Sequence, residues 1–367
     1  MAPNSANALN LLPAAALPRI ATHPDIRRRL PELFEIEDIA ALCQHLGKVT
    51  VEGTVDAFGH RFPIYSFVFG SSVASDPTIA FVGGVHGLER IGTNVAISYL
   101  RTIVELLQWD KGLQHLLGKC RLVFLPLVNP AGMFAKTRSN ANGVDLMRNA
   151  PIEAEIDPNI PLVGGHRKSP KLPWYRGEEG AAMEAEAQLL ISFVKRELFP
   201  SRFSLALDMH SGFGMQDRLW FPYAYTRRPF EYLPMMYALK TRLQRSLPNH
   251  VYVMEPQSLQ YVTHGDLWDY MFLEFRREMP DRVLLPLTLE MGSWIWIKKN
   301  PRQLFSSLGI FNPVLPHRIQ RTLRRHHALL DFLIRAVMSH ENWATPEKLT
   351  EEHEQLARQL WYGGVNP

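Results

Sequence analysis

Four apolar runs, each delivering polar residues at its end, constrain this chain more than any other feature. They are TIAFVGGVHGLE (78–89), RLVFLPLVN (121–129), FSLALDMHS (203–211) and VLLPLTLEMG (283–292). Continuous apolar runs, rather than alternating ones, mark strands buried on both faces, as in parallel sheets covered by helices. Helical patterns fall between and after them, at 92–107, 181–197, 234–246 and 316–339, the last with a basic face. This alternation predicts an α/β fold: a single domain with a mixed, mostly parallel central sheet and helices on both faces.

The remaining segments fit around that core. Residues 36–46, IEDIAALCQHL, have the spacing of a short amphipathic helix, and two strand-like runs at 48–57 and 62–70 flank a Gly-His turn at 59–60, predicting a hairpin. Residues 150–180 are rich in Pro, Gly and charge, and read as a surface excursion rather than a domain boundary. The expected organisation is a poorly ordered segment over 1–30, a catalytic domain over 31–340 and a helical extension over 341–367. Charged residues make up 21% of the chain and apolar ones 46%, as in ordinary globular proteins, and the formal charge is only +4. Basic residues are interspersed with acids, so neither nucleic acid nor a membrane is an expected partner. The two cysteines, Cys43 and Cys120, are far apart and read as buried free thiols. The N-terminal residues lack a basic start and a continuous apolar stretch, so the expected location is cytoplasmic.

Ligands of open α/β sheets collect at the carboxyl ends of the strands. The first run ends in His86 and Glu89, the third in Asp208, His210 and Ser211, and the fourth in Glu290. Catalytic zinc commonly takes two histidines and a carboxylate and keeps one position open. His86 and Glu89, three residues apart in a tight turn, can face one point, and His210 would approach from a neighbouring strand end. Glu290 is then the candidate base. A buried carboxylate at the end of LLPLTL is costly unless a charge faces it, and a metal or Arg138 would supply that charge.

In this pattern the chain resembles the zinc metallocarboxypeptidases, the family of the pancreatic enzymes and their bacterial relatives. HGLE at 86–89, RSNANGVDLMRN at 138–149, LDMHS at 207–211 and TLEMG at 288–292 match its motifs in order. YRGEEGAAMEAEAQ, with Glu184 and Glu186, and YVTHGDLWDY at 261–270 add weaker echoes. The resemblance implies one Zn2+ held by His86, Glu89 and His210, with zinc-activated water attacking an amide and Glu290 as general base and proton donor. It implies that Arg138 stabilises the oxyanion, that Arg148 and Asn149 hold the substrate's terminal carboxylate, and that Tyr261 closes over the bound residue. Tyr223, Tyr225 and Tyr270 occupy comparable stretches.

One departure stands out: the family's Asn-Arg-Asn reads Met147-Arg148-Asn149 here, and methionine cannot donate a hydrogen bond to a carboxylate. The substrate is therefore expected to be a peptide or an acyl-amino acid. The alternatives to a carboxypeptidase are an N-acyl amino acid deacylase of the succinylglutamate desuccinylase and aspartoacylase kind, which shares the H-G-x-E turn through Gly87, and a catalytically silent metal-binding scaffold. Side-chain preference is expected to depend on residues 262–269 and 288–294. There Asp266 and His264 are the polar candidates and Trp268, Trp294 and Trp296 the apolar ones, an acidic floor at Asp266 favouring Lys or Arg.

Overall fold

The computed structural model describes residues 12–13, 20, 23–158, 160 and 162–363. Its frame is a nine-stranded mixed sheet. In chain order the strands are β1 (Leu12–Pro13), β2 (Lys48–Ala57), β3 (His60–Gly70), β4 (Thr78–Gly83), β5 (Arg121–Leu125), β6 (Phe203–Ser211), β7 (Arg218–Phe221), β8 (Val253–Pro256) and β9 (Val283–Met291). Across the sheet they run β1-β2-β3-β5-β4-β6-β9-β7-β8. The central four, β5-β4-β6-β9, are parallel to one another, and the hairpin β2–β3 and strand β7 add antiparallel neighbours on either side.

The apolar runs form the centre for the reason their composition gives. Every residue of β4, β5 and β6 is buried. Alternate side chains feed two cores. Ile79, Phe81, Leu205, Leu207, Met209, Leu287 and Leu289 join the helices Pro31–Leu42, Arg90–Leu107, Leu233–Ser246 and Pro316–Met338. Ala80, Val82, Ala206 and Leu284 join the helices Ala185–Glu197 and Leu267–Glu278 on the opposite face. The period of two therefore turns Asp208, His210 and Glu290 toward the second face, because their strand neighbours fill the first core. Register completes the arrangement: His210 lies directly beside Glu290 on the adjacent strand.

The hairpin forms as expected, its turn falling at Phe58-Gly59. Much of the segment 1–30, expected to be poorly ordered, lies outside the described residues. Within it, Pro24–Arg29 is a helix with Pro at its start and Ile26 fully buried, so the apolar spacing of Ile26, Leu30 and Leu33 ties this part to the core. The helix Glu351–Tyr362 packs on Leu233–Ser246 through Trp361, which donates from its indole to the Met254 carbonyl. Both cysteines are free and buried. Among the described residues no helix is long and apolar enough to cross a membrane.

Candidate metal centre and active site

The turn after β4 carries the first two candidate ligands. The Glu89 amide donates to the His86 carbonyl, which closes the turn and brings both side chains to one side. The turn is pinned from below by the segment after β5: the Asn129 side chain donates to the Val85 carbonyl and accepts from the Gly132 amide, capping the helix Pro130–Ala135. His210 arrives on β6. The ligand atoms of His86, Glu89 and His210 all lie within 4.8 Å of one another, and all three residues are buried.

Two further carboxylates orient the histidines. Asp208, two residues before His210 and on the same face of β6, places Oδ2 2.8 Å from His210 Nε2 and accepts from the Trp268 indole at 2.9 Å. Asp145 Oδ1 lies 3.6 Å from His86 Nδ1. Carboxylates behind imidazoles fix ring orientation and tautomer in metal sites. On the other side of His210, Nδ1 lies 3.1 Å from Glu89 Oε2, which also accepts from the Ser211 amide. Burial opposes charge on both rings. For His86, Arg138 adds to that effect and the pKa falls well below its ordinary value. For His210, Asp208 and Glu89 overcome it and raise the pKa well above.

Arg138 spans the site from its loop. Its guanidinium donates to Asp145 at 2.8 Å, to Glu89 at 3.0 Å and to His86 Nε2 at 2.8 Å, and these carboxylates hold its charge firmly. Glu290 Oε2 is buried without a hydrogen-bond partner. Burial and the neighbouring negative charge of Glu89 push its carboxyl up to about 8, against the pull of His210 and Arg138. Tyr261 lies near Arg148, Arg138 and Glu290, all close enough to act on its hydroxyl electrostatically. Its ring packs on Phe213 and Trp220.

Zinc suits this donor set. Two imidazoles and a carboxylate, all three residues buried, bring their ligand atoms within 4.8 Å of one another, which is the donor set of a catalytic zinc site.

The substrate-side residues divide. Arg148 is buried, with only weak bonds to the carbonyls of Met147 and Val163 at 3.3 and 3.4 Å. Asn149 is engaged at both ends of its amide, accepting from the Glu184 backbone and donating to the Arg176 carbonyl, so it builds the loop. Glu184 and Glu186 hold Asn140 and thereby the same loop. Asp266 caps the helix Leu267–Glu278 through Oδ1, while its Oδ2 is buried without a partner. Met147 packs in the apolar core of the second face. Tyr223 and Tyr225 pack against each other, away from these groups, with Tyr223 also against Phe230 and Phe272. Trp294 and Trp296 are not brought to the site, because the chain turns into a helix directly after β9; Trp294 is half exposed, and Trp296 lines a cleft by the helix Pro316–Met338. The motif reading missed the roles of Asp145 and Asp208. For Asp208 a signal was present, since residues i and i+2 of a strand share a face.

Sequence comparison accords with this fold and donor cluster: the zinc carboxypeptidase profile matches residues 60–292. The chain belongs to the zinc carboxypeptidase family. It is 30% identical over 79 residues to carboxypeptidase SOL1 of Arabidopsis thaliana, covering 22% of this chain and 16% of that protein. It is 29% identical over 140 residues to carboxypeptidase E of Caenorhabditis elegans, covering 35% of this chain and 27% of that one. The matched stretch is thus well under half the length of these relatives. Two solved structures share the fold at 16% identity. Carboxypeptidase A from Helicoverpa armigera has a TM-score of 0.63 over 84% of this chain and 72% of its own. Bovine thrombin-activatable fibrinolysis inhibitor, bound to tick carboxypeptidase inhibitor, has a TM-score of 0.60 over 85% of this chain and 97% of its own.

Proposed function

We propose that this chain is a metallocarboxypeptidase that removes residues from peptide C-termini, with His86, Glu89 and His210 holding one zinc ion and Glu290 carrying the proton. The observation that carries the reading is the company Glu290 keeps. A half-buried carboxylate, with one oxygen buried and unbonded, stands beside the three-donor cluster, and Arg138, Arg148 and Tyr261 gather around the same space. When bound, zinc supplies Lewis-acid polarisation of water and of the scissile carbonyl.

The chain's own residues supply the rest. Glu290, beside the donor cluster, accepts the proton of the attacking water and returns it to the leaving amine. Arg138, fixed by Asp145, presents positive charge where the carbonyl oxygen becomes anionic, and such preorganised donors contribute about 3–4 kcal/mol to the barrier. Arg148 offers a planar fork to a carboxylate, and Tyr261 lies near it. Asp145 and Asp208 keep the imidazoles turned to the metal position.

The test is incubation of the zinc-loaded protein with peptides bearing free C-termini, read by mass spectrometry. Ladders shortened one residue at a time, lost in Glu290→Gln, support the proposal; intact peptides at full zinc occupancy refute it. One observation favours a second reading, N-acyl amino acid deacylation. Met147 lies in an apolar core and offers no donor beside Arg148, so that grip on a terminal carboxylate rests on the arginine. Hydrolysis of N-acyl amino acids without peptide ladders would select it.

A further inference from the structure

The charge of this chain is segregated. From Met291 to Leu330 there is no Asp or Glu, while Lys298, Lys299, Arg302, Arg318, Arg321, Arg324 and Arg325 are all present. These seven charges exceed the +4 of the whole chain, so the other 327 residues carry a net −3. In the sequence the segment reads as a helix with a solvated basic face. The fold makes it concave. The helix Trp294–Lys299, the first turns of Pro316–Met338 and the loop at Met215–Asp217 border an open cleft of about 600 Å³, on the face of the sheet opposite the metal-site side chains. Lys299, Arg318, Arg321 and Arg325 line it, with Trp296 among its apolar walls.

Its one acidic side chain is already committed. Asp217 pairs with Arg325 at 2.9 Å and accepts from the Gly292 amide at 3.0 Å. Among the described residues no carboxylate lies within ion-pair distance of Lys299, Arg318 or Arg321. The Arg318 guanidinium donates to the Trp296 carbonyl, at 3.3 Å. Cations drawn together from separate elements against low-dielectric walls, without counter-charge, focus field on the space between them. Guanidinium groups match phosphate oxygens in pairs.

We propose that this cleft binds a multiply charged phosphate-type anion, independently of the peptidase site. The test is calorimetric titration of the zinc-loaded protein with inorganic pyrophosphate, for wild type, Arg321→Glu and Lys299→Glu. Zinc content is measured before and after, because pyrophosphate can also contact the metal. The expected result is saturable 1:1 binding that weakens with salt and falls at least about tenfold in each variant, with cleavage of a short free-acid peptide with uncharged side chains unchanged. A parallel arm uses vesicles of phosphatidylglycerol and phosphatidylcholine. Co-sedimentation lost in the variants would identify a lipid headgroup as the source of the phosphate, and pyrophosphate binding without co-sedimentation a free anion. Equal binding by wild type and variants, or no binding in either arm, overturns the proposal.

Discussion

Replacing Gly87 by alanine tests how the metal ligands are positioned. A Cβ on Gly87 would stand 2.1 Å from the Gly132 carbonyl carbon and 2.3 Å from the Met133 nitrogen. Both obstacles are backbone, so no side chain can rotate away. Ordinary contact requires that the His86–Glu89 turn and the helix Pro130–Ala135 separate by roughly 1 Å, and overpacking of this kind costs about 1–3 kcal/mol of stability. The separation cannot stay local, because Asn129 bonds the turn at the Gly84 and Val85 carbonyls. His86 and Glu89 would move relative to His210, which sits on a separate strand. A displacement of about 1 Å at a reacting centre lowers rate by roughly 10²-fold. The expected variant is folded, loses at least about tenfold in zinc affinity by competition with a chromogenic chelator, and loses about 10²-fold in kcat/KM. A folded Gly87→Ala protein with wild-type zinc affinity and activity would refute the reasoning.

Other expectations follow from the same geometry. Because Asp208 and Glu89 keep His210 protonated in the metal-free protein, zinc uptake must expel that proton. Calorimetry in buffers of different ionisation enthalpy should find protons released as zinc binds, with affinity rising with pH near neutrality; no release would contradict the charge assignment. Gly265 holds φ +70, and a Cβ there would lie 1.9 Å from the Arg148 carbonyl oxygen, so Gly265→Ala should raise KM for free-acid peptides more than it lowers kcat. Burial lowers the pKa of His326 to about 4, so its neutral form is the folded one. Stability from this group is complete above the unfolded value near 6.5 and is lost as pH falls from there to about 4, a change of about 3 kcal/mol. Urea unfolding at pH 7 and 4.5 should show His326→Gln to be less acid-sensitive than wild type by about that amount, and equal sensitivities would rule the account out.

Much of the site was legible because its residues terminate buried strands, where composition and function coincide. His86, Glu89, His210 and Glu290 each follow an apolar run, and the parallel register alone brings His210 beside Glu290. Tyr261 came from a motif echo, and its place near Arg148 depends on the loop between β8 and the helix Leu267–Glu278. Strands β7 and β8 escaped notice because RLWF and VMEP are four residues long, too short to show a period. The helix Leu267–Glu278 was hidden by acids on its buried side. Asp266 serves as its cap, and Asp269 accepts from the Ala224 and Tyr225 amides, so residue types that suggest exposure are buried by satisfying backbone groups. Asn149 was placed by its motif alone, and its loop partners, Glu184 and Arg176, are distant in sequence. The cationic cleft was illegible for a related reason: Lys299 and Arg318 belong to different helices, and only the packing that follows β9 makes them neighbours.

The most direct measurement compares kcat/KM of the zinc-loaded enzyme for one peptide ending in a free carboxylate and for its C-terminal amide. If Arg148 holds the terminal carboxylate while Glu290 moves the proton, the free acid is cleaved about 10- to 10²-fold faster, because a charge-assisted contact of about 1.5–3 kcal/mol is made only by the acid. Equal rates for the two peptides, or no cleavage of either, would contradict the account.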